Sequence, residues 1–380
     1  MRLVLFLLVA VSIYSALHCY AFVKIRGALS LAPGVSLLLV VFMAFMVWTP
    51  ILVRLLEKSG HVSLVRALAY VGFTWMGILF IFNCAYLSLD LGHLFIRAMG
   101  RIGLLNPSAL VPSSKQAFFA IFVLTLGATL YGFFEARQVR TERIIIHTTK
   151  VPQKLRHVRI VQISDVHLGV LVQKERLQAV LEKIRKADAD LLVSTGDLCD
   201  GHLDQPDVFA HMMSRVKTRY GKFAVTGNHE SYMGLKKALA FTEEAGFRVL
   251  RDEGVTIAGF LNVAGVDDPA VKAHNLSQGN PEGALLSSLP KSAFTLLLKH
   301  RPVISEPSIG LFDLQLSGHV HGGQIFPFNL FTRLAYGRGT GLWPIAQKAY
   351  LYVSRGTGTW GPPIRILAPP EVTVIDLVHG

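Results

Sequence analysis

The 380-residue sequence is poor in charge and in cysteine. Asp, Glu, Lys and Arg make up 17% of it, against 51% hydrophobic residues. That balance excludes a disordered chain and is too apolar for an ordinary soluble enzyme. Three cysteines (Cys19, Cys84 and Cys199) exclude a disulfide framework. No dense basic block accompanies the net charge of +13, so nucleic-acid binding is not expected. The composition indicates a membrane protein.

Long hydrophobic runs explain this composition. Four stretches without Asp, Glu, Lys or Arg are long enough to cross roughly 30 Å of hydrocarbon, at about residues 3–23, 35–53, 67–88 and 116–134. We predict that residues 1–136 form a membrane domain of four transmembrane helices, the first being an uncleaved helix rather than a signal peptide. His18 is the only Asp, Glu, Lys, Arg or His within the spans, which favours an anchor with a packed histidine over a transport path.

The basic residues beside the spans predict an orientation. Seven Lys and Arg residues flank the side that holds both ends of the membrane domain, and five flank the other side. This difference predicts a multi-pass protein of the inner membrane with its C-terminal part in the cytoplasm. Residues 137–156 are rich in Arg and Lys, and we predict a basic juxtamembrane linker there. That linker either contacts anionic headgroups or is merely solvated.

From residue 157 to 380 the pattern is that of a layered α/β domain, because short apolar strands alternate with helical segments. Metal-ligand side chains follow five of the predicted strands, and α/β folds place their sites at the carboxyl ends of strands. These side chains are Asp165, His167, Asp197, Asn228, His229, His300, His319 and His321.

The ligand types predict a site for two metal ions. In extended backbone, residues i and i+2 point the same way, so we expect Asp165 to converge with His167, and His319 with His321. Imidazoles, carboxylates and an amide oxygen suit Mn, Fe or Zn, as divalent or trivalent ions. Seven such ligands, counted without His229, are too many for one tetrahedral ion, and two ions about 3.5–4 Å apart favour in-line attack on phosphorus.

Asp-x-His, Gly-Asp, Gly-Asn-His-Glu, His and Gly-His-x-His follow one another in this sequence. This order resembles the calcineurin-like metallophosphoesterase family over about residues 155–380, and the C-terminal segment resembles its membrane-associated bacterial branch. The resemblance implies a four-layer fold of two stacked β-sheets flanked by helices. It also implies a first metal bound by Asp165, His167, Asp197 and His321. Asp197 would bridge to a second metal bound by Asn228, His300 and His319.

The resemblance further implies that a metal-bridging hydroxide attacks phosphorus and that His229 is the catalytic histidine. Three features beside the motifs stay open. Arg301 and Arg355 either bind a non-scissile phosphate or serve packing. Cys199 either packs or is a reactive thiol. The Phe-rich stretch of residues 324–331, with Trp343, either enters the bilayer surface or covers the domain's own core or the spans.

These expectations combine into a membrane-anchored two-metal phosphoesterase. Its substrate would be a phosphate monoester or diester, with a phospholipid or other lipid-linked ester as a candidate, and its partner would be the lipid bilayer. Two alternatives remain open from the sequence. One is a non-catalytic metal-binding scaffold, and the other is a regulatory domain attached to a membrane protein.

Overall fold

The structure is a computed structural model that describes residues 2–57, 59–102, 111–201, 203–272, 282–347 and 349–380. Its Cα positions divide into two compact units. The first ends at Phe134 and also takes in Gly361–Ile364, and the second contains Glu135–Trp360 and Arg365–Gly380.

The first unit contains the four predicted apolar helices, and each is long enough to cross a membrane. They are α1 (Arg2–Leu29), α2 (Pro33–Leu56), α3 (Val62–Arg101) and α4 (Ser114–Glu135). Helix α3 extends well beyond the predicted span of residues 67–88. Its 40 residues measure about 60 Å at 1.5 Å per residue. The extension includes Asp90, whose carboxylate lies 2.6 Å from Lys24 Nζ of α1 and accepts a hydrogen bond from the Tyr20 hydroxyl. This neutralised pair allows a charged residue to continue the helix.

His18 has a packing role within the first unit, as its sequence context indicates. Its Nδ1 donates to the carbonyl oxygen of Tyr14 at 2.8 Å, and its Nε2 accepts from the indole N–H of Trp75 at 2.9 Å. Both ring nitrogens are therefore used, and no proton path through this helix is needed to explain the buried imidazole.

The second unit is built on two six-stranded sheets. The strands of the first sheet are β1 (Arg140–His147), β2 (His157–Ile163), β4 (Leu191–Ser194), β6 (Lys222–Ala224), β7 (Arg248–Val249) and β14 (Glu371–Val378). The strands of the second are β8 (Glu253–Ile257), β9 (Leu261–Val266), β10 (Phe294–Lys299), β11 (Leu314–Ser317), β12 (Gly341–Ala346) and β13 (Ala349–Val353). Their orders are β1-β14-β2-β4-β6-β7 and β12-β13-β11-β10-β9-β8. A small ribbon pairs β3 (Leu168–Gly169) with β5 (Cys199–Asp200).

Helices connect the strands of the two sheets. They are α5 (Lys174–Ala187), α6 (Pro206–Ser214), α7 (Asn228–Met233), α8 (Leu235–Glu244), α9 (Pro269–Lys272), α10 (Glu282–Ser287) and α11 (Phe328–Tyr336). One apolar cluster joins Ile160 and Val193 of the first sheet to Val263 and Leu296 of the second. Separate clusters pack helices on each outer face. The predicted four-layer α/β arrangement is confirmed.

The stretch of residues 137–156, predicted as a basic linker, contains a strand. Residues Arg140–His147 form β1, which pairs in parallel with β14 along its whole length. Within this strand Ile144 and Ile146 face the core between the sheets, and the residues that alternate with them, Arg143 and Ile145, are exposed. The arginines hide this strand-like alternation of buried and exposed residues in the sequence. The sheet therefore begins at residue 140, not after residue 156.

Candidate metal centre

The predicted ligands follow the carboxyl ends of five strands in the two sheets. Asp165 and His167 follow β2, Asp197 follows β4, and Asn228 begins α7 after β6. The second sheet contributes from the ends of β10 and β11, with His300, His319 and His321. The strands pair in parallel within each sheet, so these ends share an edge.

The local backbone at the ligands differs from the sequence expectation. Five of them have positive φ, with values of 52° at Asp165, 53° at His167, 51° at Asp197, 71° at His319 and 49° at His321. Extended geometry is therefore not the reason that Asp165 meets His167, although the two side chains do converge. Left-handed backbone is uncommon for residues other than glycine, although Asp and His adopt it more readily than most. Such conformations persist where the surrounding structure imposes them, often at functional sites.

Asp165, His167 and His321 form a first buried cluster, with ligand atoms within 4.8 Å of one another. The two Nε2 atoms of the histidines lie 3.0 Å apart, and His321 Nε2 lies 3.4 Å from Asp165 Oδ1. The backbone N–H of His319 donates to both oxygens of Asp165 at 3.0 Å, which fixes the carboxylate.

A second cluster contains Asp197, His300 and His319. His300 Nε2 lies 3.1 Å from His319 Nδ1, 3.2 Å from Asp197 Oδ2 and 3.2 Å from the side-chain oxygen of Asn228. His300 Nδ1 donates to the carbonyl oxygen of Thr195 at 2.8 Å, which leaves the lone pair on Nε2. The potential ligand atoms of His300, His319, Asp197 and Asn228 therefore lie together.

Asp197 lies between the two clusters. Its Oδ2 is 3.2 Å from His300 Nε2 in the second cluster and 3.8 Å from His167 Nε2 in the first. Asp197 also belongs to a third group of potential ligands with His167 and His229. A Cβ on Gly227 would collide with the Asp197 carboxylate, so only glycine allows this approach.

The protonation of the histidines follows from burial and from Asp197. Burial, reinforced by neighbouring positive groups, lowers the pKa of His167 to about 3 and that of His319 to about 4. The pKa of His321 falls well below its usual range for the same reasons, with Arg365 as the positive neighbour. These imidazoles are therefore neutral, as metal ligation requires. Burial also lowers the pKa of His300, but Asp197 outweighs it and raises that pKa to about 10.

The donor set fits transition-metal ions. At a metal–nitrogen distance of about 2.1 Å, two ligands at a right angle lie roughly 3 Å apart. The nitrogen pairs of the two clusters are separated by 3.0 and 3.1 Å. A pair of imidazoles and a carboxylate in each cluster form a donor set that suits a transition-metal cation, and a bound cation would displace the proton that Asp197 favours on His300. The His and Asp clusters could thus bind metal ions.

His229 has a partner that the sequence reasoning missed. Its Nδ1 lies 2.8 Å from Asp200 Oδ1, and its Nε2 lies 4.0 Å from Asp197 Oδ2. Burial lowers the pKa of His229, but Asp197 and Asp200 outweigh it and raise that pKa to about 9. The available signal was a second aspartate three residues after Asp197, placed beside the site by strand β5.

Glu230 links the turn that carries Asp197 to the turn that precedes Asn228. Its carboxylate accepts from the backbone N–H groups of Asp197 at 3.0 Å, Leu198 at 2.8 Å and Gly227 at 2.7 Å. The last residue of Gly-Asn-His-Glu therefore holds the turn after β4 against the turn after β6, and this fixes Asp197 relative to Asn228.

Two exposed aromatic rings stand beside His229. The ring centroid of Tyr232 is 5.4 Å and that of Trp360 is 5.9 Å from the imidazole. The side chain of Gln324 holds the backbone of Trp360 by two hydrogen bonds of 2.8 and 2.9 Å. The surface beside His229 on this side is therefore aromatic, and the backbone that carries one of its two rings is held in place.

A fully buried arginine supports His321. Arg365 donates to the carbonyl oxygens of Arg355 and Ala368 at 2.8 Å and to that of Gly358. Its Nη2 also lies 3.1 Å from His321 Nδ1. Sequence reasoning gave this residue no role, because arginine is seldom buried without a carboxylate.

The two arginines considered for substrate binding are both held by carboxylates. Arg301 makes two hydrogen bonds to the buried Asp268, at 2.8 and 3.1 Å. Arg355 contacts Glu142, and its Nη2 lies 2.7 Å from the buried Glu371. Of the two, Arg301 directly follows the ligand His300 in the chain.

Cys199 is a packing residue. It is 1% exposed and lies in the apolar core of the first sheet. Burial, together with the charges of Glu230, Asp200 and Asp197, raises the pKa of its thiol well above the usual range. A reactive thiolate at this position is therefore disfavoured.

The stacked sheets and the His and Asp clusters define a metal-dependent phosphoesterase, and comparison with known proteins agrees. The model of the calcineurin-like phosphoesterases matches residues 158–323. An uncharacterized metallophosphoesterase of Aquifex aeolicus is 40% identical over 254 residues, which are 66% of this chain and 96% of the relative. One from Helicobacter pylori is 33% identical over 68% of this chain and 69% of its own length. A Bos taurus transmembrane protein with metallophosphoesterase domain is 28% identical over 81% and 73%. The chain belongs to the calcineurin-like phosphoesterase family.

Proposed function

We propose that this protein is a membrane-anchored phosphoesterase with a two-metal centre, in which Asp197 bridges the ions. Asp165, His167 and His321 would complete the first subsite, and Asn228, His300 and His319 the second. The position of the Asp197 carboxylate, 3.2 Å from His300 and 3.8 Å from His167, is the observation that carries the proposal. Bound metals would supply Lewis acidity and a nucleophile at neutral pH.

The protein's own groups would orient the substrate and move a proton. Asp200 accepts from His229 Nδ1, so Nε2 is the nitrogen directed toward the ligands. A protonated His229 would stabilise charge that develops on the phosphoryl oxygens and would donate its Nε2 proton to the leaving oxygen. Glu230 would keep the two ligand turns in place during turnover.

The substrate class that we propose is a phosphate ester linked to a lipid. The four apolar helices support this choice, because an inserted chain would work next to lipid headgroups. We also propose that the catalytic domain lies on the cytoplasmic side of the inner membrane, on the basis of the excess of Lys and Arg beside that side of the spans.

The test is hydrolysis of a panel of soluble and lipid phosphate esters by the purified full chain in detergent micelles, with elemental analysis of the same sample. His229→Asn should retain the metals and lose about 10²–10⁴-fold in kcat. Equal turnover of soluble and lipid esters would remove the lipid specificity from the proposal. Intact metals with no turnover of any ester by the unsubstituted chain would indicate a metal-binding scaffold instead.

A further inference from the structure

The feature that the proposed function leaves unexplained is an apolar ridge on α11 and the turn before it. It consists of Phe326, Phe328, Leu330, Phe331 and Leu334. No residue of α11 is buried, and Leu334 is 84% and Phe331 60% exposed. Amphipathic helices of globular domains normally turn the apolar face to the core, whereas this one presents it to solvent. Contiguous exposed apolar surface of this kind marks an interaction site.

The ridge has a fixed geometry. Leu334 is a neighbour of Leu330 (i, i+4) and of Phe331 (i, i+3) on the helix surface, so these three side chains share one side. The rings of Phe328 and Phe331 also pack together, with centroids 5.7 Å apart. The sequence reasoning left open whether the aromatics of this region cover the core, and the structure divides them. Trp343 packs against the core cluster of Leu351, whereas the ridge does not.

Both ends of α11 lie close to predicted ligands of the metal centre. Gly323, two residues after His321, touches the backbone of Phe328 and Asn329 so closely that a Cβ would not fit. At the other end the ring of Tyr336 lies edge-on to the imidazole of His319, at 5.7 Å between centroids. Whatever covers the ridge is therefore brought next to the centre.

The charge around the ridge indicates its occupant. The segment that carries the ridge, residues 326–340, contains Arg333 and Arg338 and no Asp or Glu. Arg333 is the only charged residue of α11 and is exposed. A short helix with Phe and Leu on one side and Arg on the other is typical of segments that lie in the surface of an anionic bilayer. A second copy of this chain would place like charges against each other.

Chain connectivity points to the same occupant. Helix α4 ends at Glu135 and β1 begins at Arg140, so four residues join the last apolar helix to the first sheet. Any membrane that holds α4 is therefore within reach of this domain. We propose that the apolar ridge inserts into the surface of an anionic lipid bilayer and presents lipid phosphate esters to the metal centre. This inference rests on the proposed membrane-anchored phosphoesterase function.

The first test measures insertion without any turnover. In the full chain with Cys19 and Cys84 replaced by serine, Leu334→Cys is labelled with an environment-sensitive fluorophore and reconstituted in phosphatidylglycerol-containing nanodiscs. Val208→Cys on α6 is the matched control, because Val208 is also an exposed apolar residue of this unit. We expect spin-labelled lipid to quench the probe at 334 but not at 208, and iodide to do the reverse. Quenching at 334 by iodide, or by neither agent, would overturn the proposal in favour of solvent or of a protein partner.

The second test links the ridge to catalysis. The double variant Phe331→Ser, Leu334→Ser should lower kcat/KM for a vesicle-presented lipid phosphate ester by about tenfold or more, since lost apolar contact weakens surface binding. Its kcat/KM for a soluble aryl phosphate should stay that of the unsubstituted chain, and Val208→Ser should change neither. Equal losses on both substrates would contradict a bilayer role. An unsubstituted chain inactive on every ester would refute the proposed function, whereas the quenching result would still decide insertion.

Discussion

His229 and Asp200 are joined by a hydrogen bond of 2.8 Å between Nδ1 and Oδ1. Because a carboxylate only accepts, Nδ1 carries the proton and the orientation of the ring is fixed. The pair lies beside Asp197, whose Oδ2 is 4.0 Å from His229 Nε2. Asp200 Oδ2 also lies 3.7 Å from His167 Nδ1, beyond hydrogen-bond distance. The hydrogen bond to His229 therefore makes Asp200 a positioning residue for that imidazole.

The first prediction concerns this pair. Asp200→Asn should lower kcat by about 10- to 100-fold, because His229 loses the charge that favours its protonated form. The metal content should be unchanged, because Asp200 belongs to none of the ligand clusters found among the described residues. In a His229→Asn background the same substitution should cost little more, since residues that act as one unit are not additive. Independent losses in the double variant would show that Asp200 acts elsewhere.

The second prediction separates packing from substrate binding at Arg355. Its guanidinium contacts Glu371, which is 1% exposed, and donates to the carbonyl oxygen of Pro369 at 3.0 Å. Arg355→Ala should lower the free energy of unfolding by about 3–5 kcal/mol, because it leaves a buried carboxylate without its cation. Chemical denaturation in detergent measures this loss. A raised KM for the ester with unchanged stability would instead assign Arg355 to substrate binding.

The third prediction concerns Lys222 of β6, which is 9% exposed. Its Nζ donates to the carbonyl oxygens of Met213 at 3.0 Å and Ala245 at 2.6 Å, near the ends of α6 and α8. Lys222→Met should lower the free energy of unfolding by about 1–3 kcal/mol at pH 7, because two buried carbonyls lose their donor.

The same lysine gives a pH dependence with a definite sign. Burial, with a smaller effect of the Lys217 charge, lowers the pKa of Lys222 from 10.5 to about 8. Between these values the unfolded chain binds more protons than the folded one, so the stability contributed by this group rises with pH. The stability difference between the unsubstituted chain and Lys222→Met should therefore widen from pH 8 to 10. A difference that stays constant or narrows would contradict the lowered pKa.

Much of the fold and the ligand set could be predicted because their signals are local. Apolar segments of strand length are followed within three residues by Asp165, Asp197 and His319. The parallel pairing of the strands then brings their carboxyl ends together. The four apolar helices are equally visible, because hydrophobic length alone indicates them.

The remaining features depend on contacts between distant residues. The positive φ at Asp165 and Asp197 is imposed by the turns around them and leaves no mark in a single sequence. Strand β1 is hidden by its arginines, since only pairing with β14 shows which side faces the core. The pairing of Asp90 of α3 with Lys24 of α1 likewise joins residues that are 66 positions apart.

Elemental analysis of the purified full chain, beside Asp197→Ala and the control His211→Ala, tests the bridging role of Asp197 most directly. His211 is an exposed histidine of α6 outside the ligand clusters. We predict about two transition-metal ions per chain in the unsubstituted protein and in His211→Ala, and close to none in Asp197→Ala, because both ions lose the shared carboxylate. Two ions retained by Asp197→Ala, or none bound by the unsubstituted protein after incubation with Mn, Fe or Zn, would contradict the two-metal centre.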